Sequence, residues 1–296
     1  MADPAAILDE AYERIAAASF ELPNGFVNHG AMACEALDAL GRDDEVDAWA
    51  RRFAHLGGAR VEASKPGRFD PEEALGSYRM LGEWIGWFER RLEEDGWEAV
   101  VGTWVPRLMP AFRAMLFHAP IRVAHAVRAI AESDTPARRA ELARALGYWG
   151  ARYDAGPPLP ADPPAFESGR PDGLSVAVVE AAALGARRYL SRPNIFFLHG
   201  VTGAMAVALL LPHLDEQAAT AALARVRVEH DALYSEAVPS NPVPVGVPAA
   251  EVVAKAVASR DPHQVKLVEA CRRGFDLTGD PAFVAAAETV TGLARS

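Results

Sequence analysis

Cysteine is scarce in this chain of 296 residues, with only Cys34 and Cys271 far apart in sequence. Two distant thiols make neither a disulfide framework nor a cysteine-based metal site, and they favour a reducing compartment inside the cell. Clusters of Lys and Arg are also missing and the net charge is −10, so nucleic acid is not an expected partner. The first residues, "MADPAAILDEAYERIAA", lack the basic flank and apolar run of a signal peptide. We therefore expect a cytoplasmic protein.

One stretch is apolar enough to compare with a membrane span: "IFFLHGVTGAMAVALLLP", residues 195–212. His199, Thr202 and two glycines interrupt it, and these are unfavourable in the middle of a bilayer. We expect a buried core helix and no membrane association.

Strand signals are few, whereas Ala, Leu, Glu and Arg recur with helical spacing. We predict an all-α fold, a single compact multi-helix domain over residues 1–296 with a metal site in its helical core. Pro-rich loops are expected at 154–173 and 238–248; the first is either a linker or a loop across an active-site mouth. The predicted helices lie near 4–19, 29–40, 43–56, 71–95, 97–117, 120–132, 136–152, 173–190, 194–211, 215–234, 248–259, 261–277 and 281–294.

Five of the eight histidines lie in apolar surroundings: His29, His118, His125, His199 and His263. A single core imidazole needs only a backbone carbonyl as its partner. Several imidazoles in one core would each need a donor and an acceptor, and a divalent cation satisfies several at once. The remaining three, near helix ends or among charges, are predicted to be structural: His55, His213 and His230.

Spacing gives a limited test of the pair in "FHAPIRVAHAVRAI", where His118 and His125 are seven residues apart. On one helix they would share a face about 10 Å apart along the axis. Pro120 suits the first turn of a helix, which predicts that His118 lies just ahead of it.

Lysine is the rarer basic residue, since the thirty Lys and Arg residues include only Lys65, Lys255 and Lys266. Lys65 and Lys255 are predicted to be solvent-exposed. Lys266 shares a helix face with His263 among apolar neighbours. Burial would lower the pKa of this amine and free a lone pair, which could bind a metal, act as a base or add carbon dioxide. The alternative is a lysine that extends its ammonium group into water.

Four segments in order resemble the questin oxidase family: "GFVNHGAMACEAL", "FHAPIRVAHAVRAI", "LHGVTGAMAVALLL" and "DPHQVKLVEACRRG". The resemblance covers about residues 7–290, with Ala119-Pro120 where relatives are expected to have a glycine and an aliphatic residue. It implies an oxygenase that opens a ring of an aromatic polyketide, such as an anthraquinone, by Baeyer–Villiger-type or dioxygenase chemistry. It also implies ferrous iron held by His29, His118, His125 and His199, with Lys266 carboxylated by carbon dioxide. His263 would then be a catalytic partner or replace one of the four imidazoles.

The residues agree with a metal-dependent oxidoreductase, because no Gly-rich turn joins a strand to a helix as a nucleotide cofactor requires. Four neutral imidazoles and one carbamate would leave a ferrous site with a net charge near +1, which suits dioxygen and a phenolate substrate. Arg122 is a candidate to orient a substrate oxygen, with a surface role as its alternative. A zinc hydrolase and a non-catalytic helical ligand-binding protein are the rival interpretations. The electron source, NAD(P)H included, and the oligomeric state, a homodimer included, stay open.

Overall fold

Helices make up the regular structure of the protein in a computed structural model that describes residues 4–57, 60–64, 69–160, 171–241 and 243–294. Within these ranges the only strand-like pairing is a bridge between Glu21 and Val27, so the all-α prediction is confirmed. The α-helices are α1 (Pro4–Ile15), α2 (Gly30–Ala39), α3 (Asp43–Ala54), α4 (Pro71–Ala74), α5 (Leu81–Asp95), α6 (Trp97–Leu108), α7 (His118–Glu132), α8 (Pro136–Ala151), α9 (Pro171–Ser191), α10 (Ile195–Leu210), α11 (Glu216–Tyr234), α12 (Ala249–Ser259), α13 (Pro262–Thr278) and α14 (Pro281–Val290). Short 3-10 helices lie at Tyr78–Met80, Met109–Ala111 and Leu211–His213.

The prediction of one helix over 71–95 is wrong, because α4 ends at Ala74 and α5 begins only at Leu81. Gly76 has a φ of +74°, and a Cβ built there would lie 2.8 Å from the carbonyl oxygen of Tyr153. Its N–H donates to the carbonyl of Gly150 in α8. A left-handed residue ends an α-helix, and glycine adopts that conformation without a steric penalty. The predicted start is confirmed, since the Asp70 side chain accepts from the N–H of Glu72.

The predicted helix 97–117 also ends early, at Leu108. A 3-10 turn with proline follows, and Met115, Leu116 and Phe117 then have φ between +52° and +65°. Helix α7 begins at His118, with Phe117 as its left-handed N-cap. The prediction that His118 precedes the helix is therefore wrong by two residues.

The chain divides into two compact units, residues 1–156 and 157–296, and each is described by itself. The boundary falls in the Pro-rich stretch predicted at 154–173, of which 161–170 lie outside the described residues, as does Lys65. A single domain over 1–296 stays a prediction.

The first unit contains α1–α8, with α8 packed on both α5 and α7 and α2 packed on α7. Its aromatic core is centred on Trp84, whose ring stacks on Phe88 and meets Trp104 edge to face. All three side chains are buried, so these rings form part of the hydrophobic core. Each aromatic pair of this kind stabilises the fold by about 1 kcal/mol beyond the contribution of the area it buries.

The second unit contains α9–α14, with α10 packed against α9, α11 and α13. Gly185 on α9 allows the close approach, because a Cβ there would lie 3.1 Å from the backbone of Gly200 on α10. By length and composition, Ile195–His213 could cross a membrane, but 72% of its apolar window is buried inside the protein. A helix that is apolar on all sides is expected to be buried in a protein core or a membrane, and this one is largely buried within the protein.

Candidate functional site

Two imidazoles meet in the first unit, where His29 ends the segment before α2 and His118 begins α7. Their rings stand edge to face with centroids 4.7 Å apart, and their Nε2 atoms are 2.9 Å apart. Both side chains are buried. They are two of the four histidines that the resemblance assigns to one cation, an assignment that stays a prediction.

The protons of this pair follow from their neighbours. Nδ1 of His118 lies 2.5 Å from the carbonyl oxygen of Met115, and a carbonyl only accepts, so this nitrogen carries a proton. Nε2 of His118 then has a lone pair in the neutral ring. A second lone pair on His29 would be repelled at 2.9 Å, so His29 either donates a proton or both nitrogens face a cation.

His29 is held in place by its neighbour Asn28. The side-chain oxygen of Asn28 accepts the N–H of Gly30, and its amide donates to the carbonyl of Phe53 at 3.3 Å. These bonds fix the chain just where the His29 ring leaves it.

His125 has a different partner in the first unit, the carboxylate of Glu35 on α2. Arg128 donates to both oxygens of the same carboxylate, at 2.5 and 2.6 Å. Burial alone would raise the pKa of Glu35, but Arg128 and His125 outweigh it and hold that pKa below its ordinary value. An ionised carboxylate therefore faces Nδ1 of His125. Sequence reasoning missed Glu35, although it is the one acidic residue in the apolar run 31–37.

Arg122, the candidate for orienting substrate, is committed to a buried ion pair. It donates to both oxygens of Glu141, at 2.7 and 2.9 Å, and its guanidinium lies 4.5 Å from the centre of the Phe20 ring. The predicted surface alternative is wrong, because the side chain is 4% exposed. Its role toward a substrate stays a prediction.

In the second unit, His199 on α10 and His263 at the start of α13 lie edge to face, with centroids 5.5 Å apart. Nδ1 of His199 lies 2.6 Å from the carbonyl of Ile195, and Nδ1 of His263 lies 3.0 Å from the carboxylate of Asp261. Burial, then Lys266 and His263, lower the pKa of His199 to about 3. The His199 ring is therefore neutral at physiological pH.

Lys266 is buried on α13 with 1% of its surface exposed, which rules out the solvent-seeking alternative. Its Nζ has no hydrogen-bond partner among the residues that the structure describes. Burial lowers the pKa of the amine to about 7, an effect that Asp261 partly offsets. Lys255, by contrast, is exposed as predicted.

Four of the predicted site histidines share one arrangement, in which Nδ1 faces a carbonyl or carboxylate oxygen. Metal-binding histidines show this arrangement, since the bond at one nitrogen fixes the tautomer and the ring orientation for the other. The four are His118, His125, His199 and His263. Whether the sets in the two units serve one cation stays a prediction.

Of the three histidines predicted to be structural, His230 departs from its expected setting. It was predicted to lie among solvated charges, but it is 3% exposed on α11. Burial, and then Arg188, lower its pKa to about 4, so the ring is neutral. Helical periodicity alone did not reveal which face of α11 is buried.

No protein-family model matches the sequence, and no curated protein matches it either.

Proposed function

We propose that the protein is an oxidoreductase, a non-haem iron oxygenase that opens a ring of an aromatic polyketide such as an anthraquinone. The observation that carries the proposal is the buried Lys266 amine with neutral histidines beside it. The order of the four segments that resemble the questin oxidase family supports the same reading, as does the acidic, cysteine-poor composition for a cytoplasmic enzyme.

The amine of Lys266 has the properties that carbamate formation requires. With a pKa of about 7, roughly half of the amine is neutral at pH 7. Its lone pair attacks the carbon of carbon dioxide, an N–C bond forms, and one N–H proton leaves to give an anionic carbamate. A buried anion needs a compensating cation. A metal ion beside the carbamate would supply that charge.

The imidazoles have the properties that metal binding requires. Each of His118, His125 and His199 has an acceptor at Nδ1, so Nε2 is the nitrogen that can bind a metal while the bond at Nδ1 stays in place. His29 presents Nε2 toward His118. Imidazole nitrogen and anionic oxygen are ligands that ferrous iron accepts.

In this proposal the metal activates dioxygen, and side chains of the protein handle protons and charge. Ferrous iron, when bound, would activate dioxygen for insertion beside a substrate carbonyl. His263, whose Nδ1 is anchored by Asp261, is the proposed catalytic imidazole that takes a proton from a phenolic substrate. Arg122, with Glu141 holding its orientation, supplies fixed positive charge in the first unit.

The same donors suit zinc, so a zinc-dependent hydrolase is the second candidate. Metal analysis of anaerobically purified protein separates the two. We expect about one iron per chain, whereas one zinc per chain would favour the hydrolase. Protein that retains neither metal, even after anaerobic addition of each, would favour a non-catalytic ligand-binding protein.

Replacement of the lysine tests the central residue. We expect Lys266→Ala to lose its iron while the far-ultraviolet circular dichroism stays helical. Lys255→Ala is the matched control, since it removes an exposed lysine from the neighbouring helix α12. Unchanged iron content in Lys266→Ala would contradict the assignment.

A further inference from the structure

Glu35 is a glutamate in the apolar part of α2, and it is 2% exposed. Its neighbours in the same helix, Ala33, Cys34, Ala36 and Leu37, are all buried and apolar. A buried carboxylate has a large desolvation penalty unless it is paired, and an apolar residue of similar size would avoid that penalty. The presence of the carboxylate therefore needs a reason beyond packing.

The contacts of Glu35 give that reason. Arg128 binds both of its oxygens, and His125, one turn earlier on α7, meets Oε2 through Nδ1. Arg128 keeps the carboxylate ionised, and an ionised carboxylate only accepts hydrogen bonds. The proton must therefore stay on Nδ1 of His125.

We propose that Glu35 is a positioning residue for metal binding: it holds the Nδ1 proton of His125 and so keeps Nε2 of that ring as the ligating nitrogen. This inference rests on the proposed function, because it takes His125 as a metal ligand. A carboxylate at the far nitrogen also makes the imidazole a stronger ligand, and loss of such partners weakens metal binding by about 10–100-fold.

The alternative is that Glu35 only ties α2 to α7 through its ion pair with Arg128. The two roles predict different results for Glu35→Gln. The Glu35 carboxylate accepts hydrogen bonds through two oxygens, whereas the glutamine amide has only one acceptor oxygen. The Arg128 guanidinium only donates, so it attracts the amide oxygen and turns the amide NH₂ toward His125. That NH₂ cannot accept the Nδ1 proton, and the ring would change to the tautomer protonated at Nε2.

The test measures Co(II) affinity under anaerobic conditions by competition with a chelator, together with the visible absorption of the bound ion. We expect Glu35→Gln to bind Co(II) about 10–100-fold more weakly, with a changed absorption band. Arg128→Lys breaks the two-point Arg–carboxylate pairing but keeps a positive charge beside Glu35 and leaves its contact with His125 in place, so its affinity should stay within about threefold of the unmodified protein. A purely structural ion pair predicts equal losses in the two variants, and that result would overturn the proposal.

Two further variants complete the design. Glu229→Gln is the matched control, because Glu229 is a fully buried glutamate paired with Arg225. His125→Ala tests whether His125 is a metal ligand, separately from the role of Glu35. If it loses Co(II) while Glu35→Gln does not, the role of Glu35 is refuted and the ligand assignment stands. If His125→Ala binds Co(II) as tightly as the unmodified protein, the assignment of His125 fails and the role of Glu35 with it.

The metal-free protein itself provides a test that does not depend on the folding of any variant. Nitrogen-15 NMR of the histidine rings distinguishes a proton on Nδ1 from a proton on Nε2. We expect His125 to be protonated at Nδ1. A neutral ring protonated only at Nε2 would refute the inference.

Discussion

The Lys266 amine should make the stability of the metal-free protein depend on pH. Burial lowers its pKa from 10.5 to about 7 in the folded state, whereas the unfolded chain keeps an ordinary value near 10.4. Between these two values the unfolded state binds more protons than the folded state. The free energy of unfolding should therefore rise with pH over this window.

The magnitude follows from the two pKa values. Below pH 7 the amine is protonated in both states and the full penalty of burying an ammonium group applies. From pH 7 to pH 9.5 the gain in unfolding free energy should be about 3 kcal/mol. Lys266→Met removes the titrating group and keeps a side chain of similar length, so its stability should lack this rise.

Urea unfolding, followed by circular dichroism at several pH values with a chelator in carbon-dioxide-free buffer, measures the difference. The two proteins should differ most at pH 7 and below, where the variant is the more stable. Subtraction of the two profiles cancels the other titrating groups. Parallel profiles from pH 7 to pH 9.5 would refute the reasoning, because they would mean that the amine reaches water in the folded state.

Three other substitutions test packing and hydrogen bonding elsewhere in the two units. Trp84→Ala should lower the free energy of unfolding by about 3–5 kcal/mol, measured by urea unfolding, because the ring is fully buried. Gly200→Ala should destabilise by about 1–3 kcal/mol and lower Tm, although alanine favours helices, because its Cβ would lie 3.0 Å from the Tyr234 ring; an unchanged Tm would contradict this. Glu288→Ala should speed proteolysis within residues 243–248, since this buried carboxylate accepts three backbone N–H groups at 245–247. Equal cleavage rates would contradict that role.

Helical periodicity in the sequence was sufficient for the all-α class and for most helix positions. The start of α4 at Pro71 was also predicted. The break at Gly76 was not, because it depends on a contact with α8, some seventy residues further along the chain. Local propensity carries no record of such long-range contacts.

The candidate site was predictable to a similar extent. Apolar surroundings identified the histidines and Lys266, since a polar residue in an apolar helix face is visible in the sequence. The partners that fix each ring were not visible. Glu35 lies 90 residues from His125, and only the packing of α2 on α7 brings them together. An acidic residue at the centre of an apolar run could have been singled out by the same rule as the histidines.

The left-handed turn at Met115–Phe117 links the resistance of the protein to heat with the cation binding that we propose. Side chains in this conformation cost about 1–2 kcal/mol per residue, a penalty that glycine would remove. Yet the Met115 carbonyl, fixed by this turn, sets the direction of the His118 ring. Engineering this turn with glycine for thermal robustness would therefore loosen the His118 ring, so durability and the proposed metal affinity would be traded against each other over the same three residues.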